Sequence, residues 1–270
     1  MPVSIDTYLR TLSYSYYLKK DSKELSQINS SISNLKTNLD RDLGALINRR
    51  FVFGSFDRDT ILPRAIDQKS DVDLMVVFNH TEYERSPETY RNWLLNFAKK
   101  HYEDRYSSPV VRSSPTVTIR LGHIHYDLVP AKEEAPYPWA TKRLYIPGDY
   151  GWQPTDPTDI KTSLTTANTK YNQIVRPIIR LLKAWNCSNA YSWDSYKLEL
   201  YAIELNYYGD NVQTGFFYAI GQMSLDFNSA QWKRDRVGSA KCNISKVKEK
   251  LETGNLLEAK RWLHKILPTP

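Results

Sequence analysis

The chain has 270 residues, 41% hydrophobic and 25% charged, a normal globular composition with enough length for one large domain or two closely packed lobes. A net charge of +7 and a pI near 9.1 favour an anionic partner but are modest for a dedicated nucleic-acid binder, so nucleotide phosphates are favoured over long polynucleotide. No apolar run approaches the ~18 residues of a membrane span, MPVSIDTYLR is unlike a secretion signal, and Cys187 and Cys242 lack Cys or His at ligand spacing; a soluble cytoplasmic protein with two buried free thiols is expected, without zinc ribbon or disulfide framework.

Residues 5–17 and 22–47 read as helices. In the second, Leu25, Ile28, Ile32, Leu35, Leu39, Leu43 and Ile47 recur at spacings of three and four, forming one stripe along a helix of roughly 25 residues and about 37 Å, a spine expected to cross both lobes. Phe51-Val52-Phe53 starts a strand that runs into Gly54-Ser55, and a charged loop over 56–70 leads to a strand at 71–78. There Val72, Leu74, Val76 and Phe78 share one face while the other face begins with acids. Residues 87–102 read as a helix with Tyr90, Leu94, Phe97 and Ala98 inward. Segments 116–121 and 124–128 alternate with opposite parity, which places a hairpin turn at Gly122-His123. Residues 130–159, with Pro136, Pro138, Pro147, Gly148, Gly151, Pro154 and Pro157, read as a long connecting loop. Helices are expected at 171–185, 195–207, 215–223, 244–251 and 256–267, with Pro177 kinking the first or marking its first turn.

Asp71 and Asp73, separated by one strand residue, point the same way, and Asp127 sits on the polar face of another strand. Such clustered negative charge requires metal cations to neutralise it, which points to phosphoryl chemistry. Taken alone, a D-x-D is as often a solvated strand end and a Gly-Ser pair is usually an ordinary turn. Their order along the chain reverses those readings.

The residues resemble a known family: the bacterial nucleotidyltransferases related to cyclic GMP-AMP synthase and oligoadenylate synthase, in the polymerase-β-like superfamily. The resemblance rests on Gly54-Ser55, Asp71-Val72-Asp73-Leu74, Tyr126-Asp127-Leu128-Val129-Pro130-Ala131, Arg180 to Trp185 and Ser195 to Leu200, in the expected order over nearly the whole chain. It departs at Asp59-Thr60, where such enzymes often carry Gly-Thr. It implies an α+β fold: a polymerase-β-like nucleotidyltransferase lobe over 1–160, with a mixed sheet flanked by helices and the long spine helix, and a helical lobe over 161–270 closing the nucleotide cleft. It also implies that Asp71, Asp73 and Asp127 are catalytic and hold two Mg²⁺ or Mn²⁺ ions, while Gly54 and Ser55 cradle the triphosphate. Lys183 stands where the family has a phosphate-contacting lysine.

Arg176, Arg180 and Lys183 form one basic face, read as solvated at Arg176 and as nucleotide-binding at Arg180. Ser195 either caps the next helix or binds phosphate, with the resemblance favouring binding, and Tyr196 either stacks on a base or packs inside. His123 and His125 read as a turn and polar face rather than a metal site. Trp139, Tyr145 and Trp152 either clamp a base or are buried under the loop.

The carboxylates point to metal-dependent nucleotidyl transfer with release of pyrophosphate; the resemblance implies that it is template-independent joining of nucleoside triphosphates, ATP among them, into a cyclic di- or trinucleotide. The resemblance adds the setting of bacterial antiphage (CBASS) defence and a downstream cyclic-nucleotide-gated effector that reads the product. The enzyme is expected to be a monomer or to be regulated by a partner, without zinc-dependent DNA sensing and without membrane attachment. Two other readings stand beside it: a linear nucleotidyltransferase acting on RNA, protein or a small molecule, and a non-catalytic nucleotide-binding scaffold. Against the scaffold, unused clustered carboxylates repel one another and are costly to keep.

Overall fold

Apolar spacing and turn residues set the elements of the computed structural model, which describes residues 3–135, 137 and 139–269. In chain order they begin with α1 (Asp6–Ser15), α2 (Ser22–Leu43), β1 (Ile47–Phe53), the single turn α3 (Gly54–Asp57), β2 (Asp71–Phe78), α4 (Pro87–Ala98) and the short α5 (Asp104–Tyr106). Strands β3 (Val110–Arg112), β4 (Val117–Arg120), β5 (His125–Glu134), β6 (Arg143–Gly148) and β7 (Gly151–Thr155) follow. Helices α6 (Pro157–Lys170), α7 (Val175–Ser188), α8 (Ser195–Glu204), α9 (Val212–Gln222), α10 (Gln231–Glu252) and α11 (Leu256–Leu263) complete the chain. Two units emerge: a strand-bearing one of Asp21–Ile61 and Lys69–Lys161, and a helical one of Met1–Lys20, Leu62–Gln68 and Thr162–Pro270. The fold is α+β, as the sequence implies.

In the strand-bearing unit the sheet runs β1-β2-β5-β4-β3, with β6 paired to the far half of β5 and β7 to β6. Among the described residues only β2 and β5 pair in parallel; the other pairs are antiparallel. The central strand β2 is buried on both faces, through Val72, Leu74, Val76 and Phe78 on one side and Met75 and Val77 on the other, which is why its second half is continuously apolar. Helices cover the even-numbered face. Phe78 stacks on Tyr90 of α4 with ring centroids 4.5 Å apart, and the Tyr126 hydroxyl of β5 donates to the Ile28 carbonyl of α2 at 3.1 Å.

α2 starts at an Asp21 cap that accepts from the backbone N–H of Lys23 at 2.7 Å and of Glu24 at 3.1 Å. Ile28, Leu35 and Leu39 of its stripe are buried. The helix is shorter than the sequence suggests: a 3₁₀ turn over Gly44–Leu46 ends it, and Ile47 is taken into β1, level with Phe78. All of α2 belongs to the strand-bearing unit and α1 to the helical unit.

The segment expected to be a loop over 130–159 is largely sheet. β5 continues to Glu134, and β6 and β7 close a hairpin at Asp149-Tyr150 between Gly148 and Gly151, the latter at φ +126°. Its prolines mislead because they occupy tolerant places: Pro154 is on the outermost strand, and Pro130 falls between the stretches of β5 paired by β4 and by β6. Pro136 and Pro138 lie outside the described residues.

The core of the helical unit centres on α7, whose Ile178, Ile179, Leu182 and Trp185 join Leu9 and Leu12 of α1, Phe216 and Ile220 of α9, and Val247 of α10. Pro177 stands in the first turn of α7, where its missing N–H leaves no helical bond unmade. α6 starts at Asp156, whose carboxylate accepts from Thr158 N at 2.9 Å and Asp159 N at 3.1 Å. α10 begins well before 244, because Val237 and Ala240 extend the buried row of Ile244, Val247 and Leu251 back into a polar stretch. Cys242 lies off that row and is exposed, contrary to expectation, whereas Cys187 is half-buried, its thiol pushed up to about 11 chiefly by burial. No helix among the described residues is long and apolar enough to cross a membrane.

Leu39→Ala should lower stability by about 2–5 kcal/mol, the range for deleting a fully buried leucine. Chemical denaturation would show it, and a change below about 0.5 kcal/mol would mean the stripe is not core.

Candidate active site

Asp71 opens β2 and Asp73 follows two residues later, so both leave the same face of the strand. The parallel register sets Asp71 level with His125 and Asp73 level with Asp127, which brings Asp127 beside Asp73 on that face. From β4, Thr118 stands level with Asp127 and its hydroxyl donates to Asp127 Oδ1 at 2.5 Å. That bond fixes one carboxylate oxygen. On the far side of β2, β1 ends with Phe53 level with Asp73.

The chain then turns at Gly54, with φ +73°, and a Cβ there would stand 1.9 Å from Asp73 Oδ2. Glycine is required twice, by the left-handed backbone and by the carboxylate that fills the side-chain space. The Ser55 carbonyl accepts from the N–H of Thr60 at 3.0 Å and of Ile61 at 3.1 Å, folding the charged loop back onto the turn. Asp59, where the resembled family often has glycine, has φ +64°. Aspartate is among the few side chains that tolerate this region, so the loop keeps a glycine-like turn without glycine.

The three carboxylates are half-buried, and their face continues into the apolar cluster of Met75, Val77, Val129 and Ala131. In-register neighbours on adjacent strands are about 5 Å apart, a separation at which two like charges repel by about 3 kcal/mol at an effective dielectric near 20. Among the described residues, no three acidic, imidazole or thiol groups enclose a single point. The acids line a face rather than form a cage.

Lys183, Arg180, Ser195 and Tyr196 belong to the helical unit. On α7, Arg180 and Lys183 are buried, because α1, α8 and α9 pack around the helix. Lys183 Nζ donates to Glu199 Oε1 at 3.1 Å, an ion pair with side chains 8% and 1% exposed. Arg180 Nε donates to the Ser13 carbonyl at 3.1 Å and its guanidinium lies 4.8 Å over the Tyr17 ring. Arg176 is half-buried and bonds Thr165 Oγ1 at 3.1 Å. Ser195 is the first residue of α8 but not its cap; Asp194 takes that place, accepting from Lys197 N at 2.9 Å. Tyr196 is exposed.

His123 Nε2 lies 3.0 Å from the Ser31 hydroxyl. Tyr145 and Trp152 sit with Lys132, toward the other end of β5 from Asp127, while Trp139 is exposed. Sequence reasoning missed Thr118, Glu199 and Asp194. Thr118 was recoverable, since a turn over 121–124 forces 120 opposite 125 and 118 opposite 127; the Lys183–Glu199 pairing crosses two helices and left no local signal.

A mixed sheet carrying an Asp-x-Asp strand, a third aspartate on its parallel neighbour and a glycine turn against the carboxylates defines a polymerase-β-like nucleotidyltransferase fold. Residues 4–168 match the family model of the Second Messenger Oligonucleotide or Dinucleotide Synthetase domain, and the chain belongs to that family. That membership makes it a nucleotidyltransferase of the cyclic-oligonucleotide-synthase class. Among solved structures it is similar to the CD-NTase CdnG of Bradyrhizobium diazoefficiens in complex with GTP, at 13% identity over 97% of this chain and 98% of that one, TM-score 0.68. It is also similar to CdnC of E. coli MS115-1 with ATP, at 12% identity over 97% of each chain, TM-score 0.65. The DncV cyclic AMP-GMP synthase of Vibrio cholerae, a prokaryotic cGAS homolog, matches at 13% identity over 81% of this chain and 68% of that one, TM-score 0.60. No curated protein matches the chain by sequence.

Gly54→Ala should cost about 1–3 kcal/mol through backbone strain and displace Asp73, read as a lowered denaturation midpoint together with lost nucleotide turnover. Glu199→Gln should cost about 3–5 kcal/mol by leaving the Lys183 charge buried and uncompensated. Urea unfolding would check it, and a loss below about 1 kcal/mol would show that the pair does not hold α7 to α8.

Proposed function

We propose that the protein is a cytosolic, metal-dependent enzyme that joins nucleoside triphosphates without a template into a cyclic di- or trinucleotide, releasing pyrophosphate, as a messenger of bacterial antiphage (CBASS) defence. The single observation that carries this reading is the register of Asp73 with Asp127 beside the Gly54 turn. ATP and GTP are the natural first substrates, since CdnC and CdnG are described with them. A cyclic-nucleotide-gated effector would read the product.

The donor set fits Mg²⁺ or Mn²⁺. Carboxylate oxygens are hard ligands, and these ions are commonly held by one or two carboxylates with substrate phosphates completing the shell. An open row of acids suits that arrangement better than a closed cage. Asp71 and Asp73 would hold ions against the phosphates, and Asp127, steadied by Thr118, would share one with the attacking ribose hydroxyl. Two bound ions would neutralise charge at the α-phosphate and lower the pKa of that hydroxyl.

The remaining roles fall to the chain itself. Gly54 leaves room for close phosphate approach, and Ser55 offers backbone and hydroxyl donors. Lys183 spends one of its three ammonium protons on Glu199, and its other donors and Ser195 would contact phosphate oxygens. Arg180 would add positive charge, and the exposed ring of Tyr196 would stack on a base. The ribose oxygen then forms a bond to the α-phosphorus as the bond to the bridging oxygen breaks in line, and pyrophosphate leaves.

Incubation of the protein with all four triphosphates and Mg²⁺ or Mn²⁺, followed by phosphatase and mass spectrometry, should yield a phosphatase-resistant cyclic product. Asp71→Asn with Asp73→Asn, or chelation of the metal, should abolish pyrophosphate release; undiminished turnover in either case would sink the assignment. A product with a phosphatase-sensitive end that forms only with an added acceptor would establish the linear reading instead.

A further inference from the structure

A second polar site lies on the other face of the sheet. Lys132 of β5 is five residues from Asp127, about 16 Å along a strand, and of opposite parity, so it faces away from the carboxylates. Its side chain is 9% exposed, yet its carboxylate partner, Glu134, is 52% exposed. The ammonium also donates to His80 Nε2 at 3.3 Å and stands 5.5 Å from the ring centroids of both Tyr145 and Trp152.

His80 is held in one tautomer. Its Nδ1 lies 2.9 Å from the Tyr90 hydroxyl, which spends its own proton on the Tyr83 carbonyl; Nδ1 therefore carries the hydrogen and Nε2 is left to accept from Lys132. Burial, and then the Lys132 charge, hold the imidazole below its usual pKa, so it stays neutral. Beside this chain opens a cavity of about 410 Å³, lined by Lys132, His80, Trp152, Arg85 and Glu84.

A buried ammonium requires a counter-charge, but Glu134 stands half in water and can be resolvated when another anion takes its place on Lys132. An incoming anion can therefore replace Glu134 at little cost, while an aromatic body beside Trp152 is drawn out of water. We propose that this cavity is an accessory binding site for a small aromatic anion, a planar ring bearing a carboxylate or phosphate, whose charged group takes the place of Glu134 on Lys132 and whose ring lies against Trp152. The site does not depend on the assignment of nucleotidyl transfer.

Titration calorimetry on the full chain at pH 7.5, with AMP as the phosphate probe and salicylate as the carboxylate probe, tests the proposal and separates the two sources. At least one probe should bind, about three- to tenfold more tightly to Glu134→Gln, which removes the competing charge, and about tenfold more weakly to Trp152→Leu. Trp152→Phe should restore binding, separating loss of the ring from loss of fold, and Asp127→Asn should leave affinity unchanged. Failure of both probes to bind wild type and Glu134→Gln at millimolar concentration would overturn the proposal. So would affinities indifferent to Glu134 and Trp152, or binding lost in Asp127→Asn.

Discussion

Everything at the carboxylate face depends on the parallel pairing of β2 with β5. A slip of one residue would send Asp127 to the helix-covered face, where Val72, Leu74 and Phe78 are buried, and would push Tyr126 and Leu128 out of the core. Apolar packing on the even face therefore enforces the acidic alignment on the odd one. The hydrophobic effect holds like charges together against a repulsion of a few kcal/mol, because the strands cannot separate the acids without exposing the core. Gly54 adds a second constraint, since only a residue without Cβ leaves Asp73 its place.

Buried polar groups elsewhere show how partner choice sets their consequences. Lys183 faces a glutamate that is itself almost wholly buried, so the pair fastens α8 to α7 and neither member can be removed alone without cost. Lys132 faces a glutamate that stands half in water, and the bond between them constrains little. Two lysines of similar burial thus differ in availability, and the difference lies in the exposure of the carboxylate. The neutral, tautomer-locked His80 completes the hydrogen bonding around Lys132 without adding a second charge.

Much of the architecture was legible because local rules and tertiary packing agree. The alternation of β2, the parity switch across Gly122-His123 and the stripe of α2 each carry their own period, and each appears in the structure. Failures came where local signals conflict with context. Prolines hid the β6–β7 hairpin because an outer strand pairs along one edge only, and a proline such as Pro154 is tolerated there. Sparse, small apolar residues hid the first half of α10, and an N-cap of the Asp-Pro type was passed over at α6. The basic row on α7 lies opposite the apolar stripe in the sequence; helices packed around it turned two of its three members inward.

The order of Gly54-Ser55, Asp71, Asp73 and Asp127 along strand-forming segments was determined by the sequence alone, because alternation of side chains is a property of a single strand. Tertiary structure decided which strand lies beside which and in what register. It thereby decided that Asp127 meets Asp73 and Thr118, that Lys183 meets Glu199, and that Lys132 meets an exposed partner. Those contacts join residues far apart in the chain, and only the burial of their apolar neighbours selects them; no local period encodes that choice.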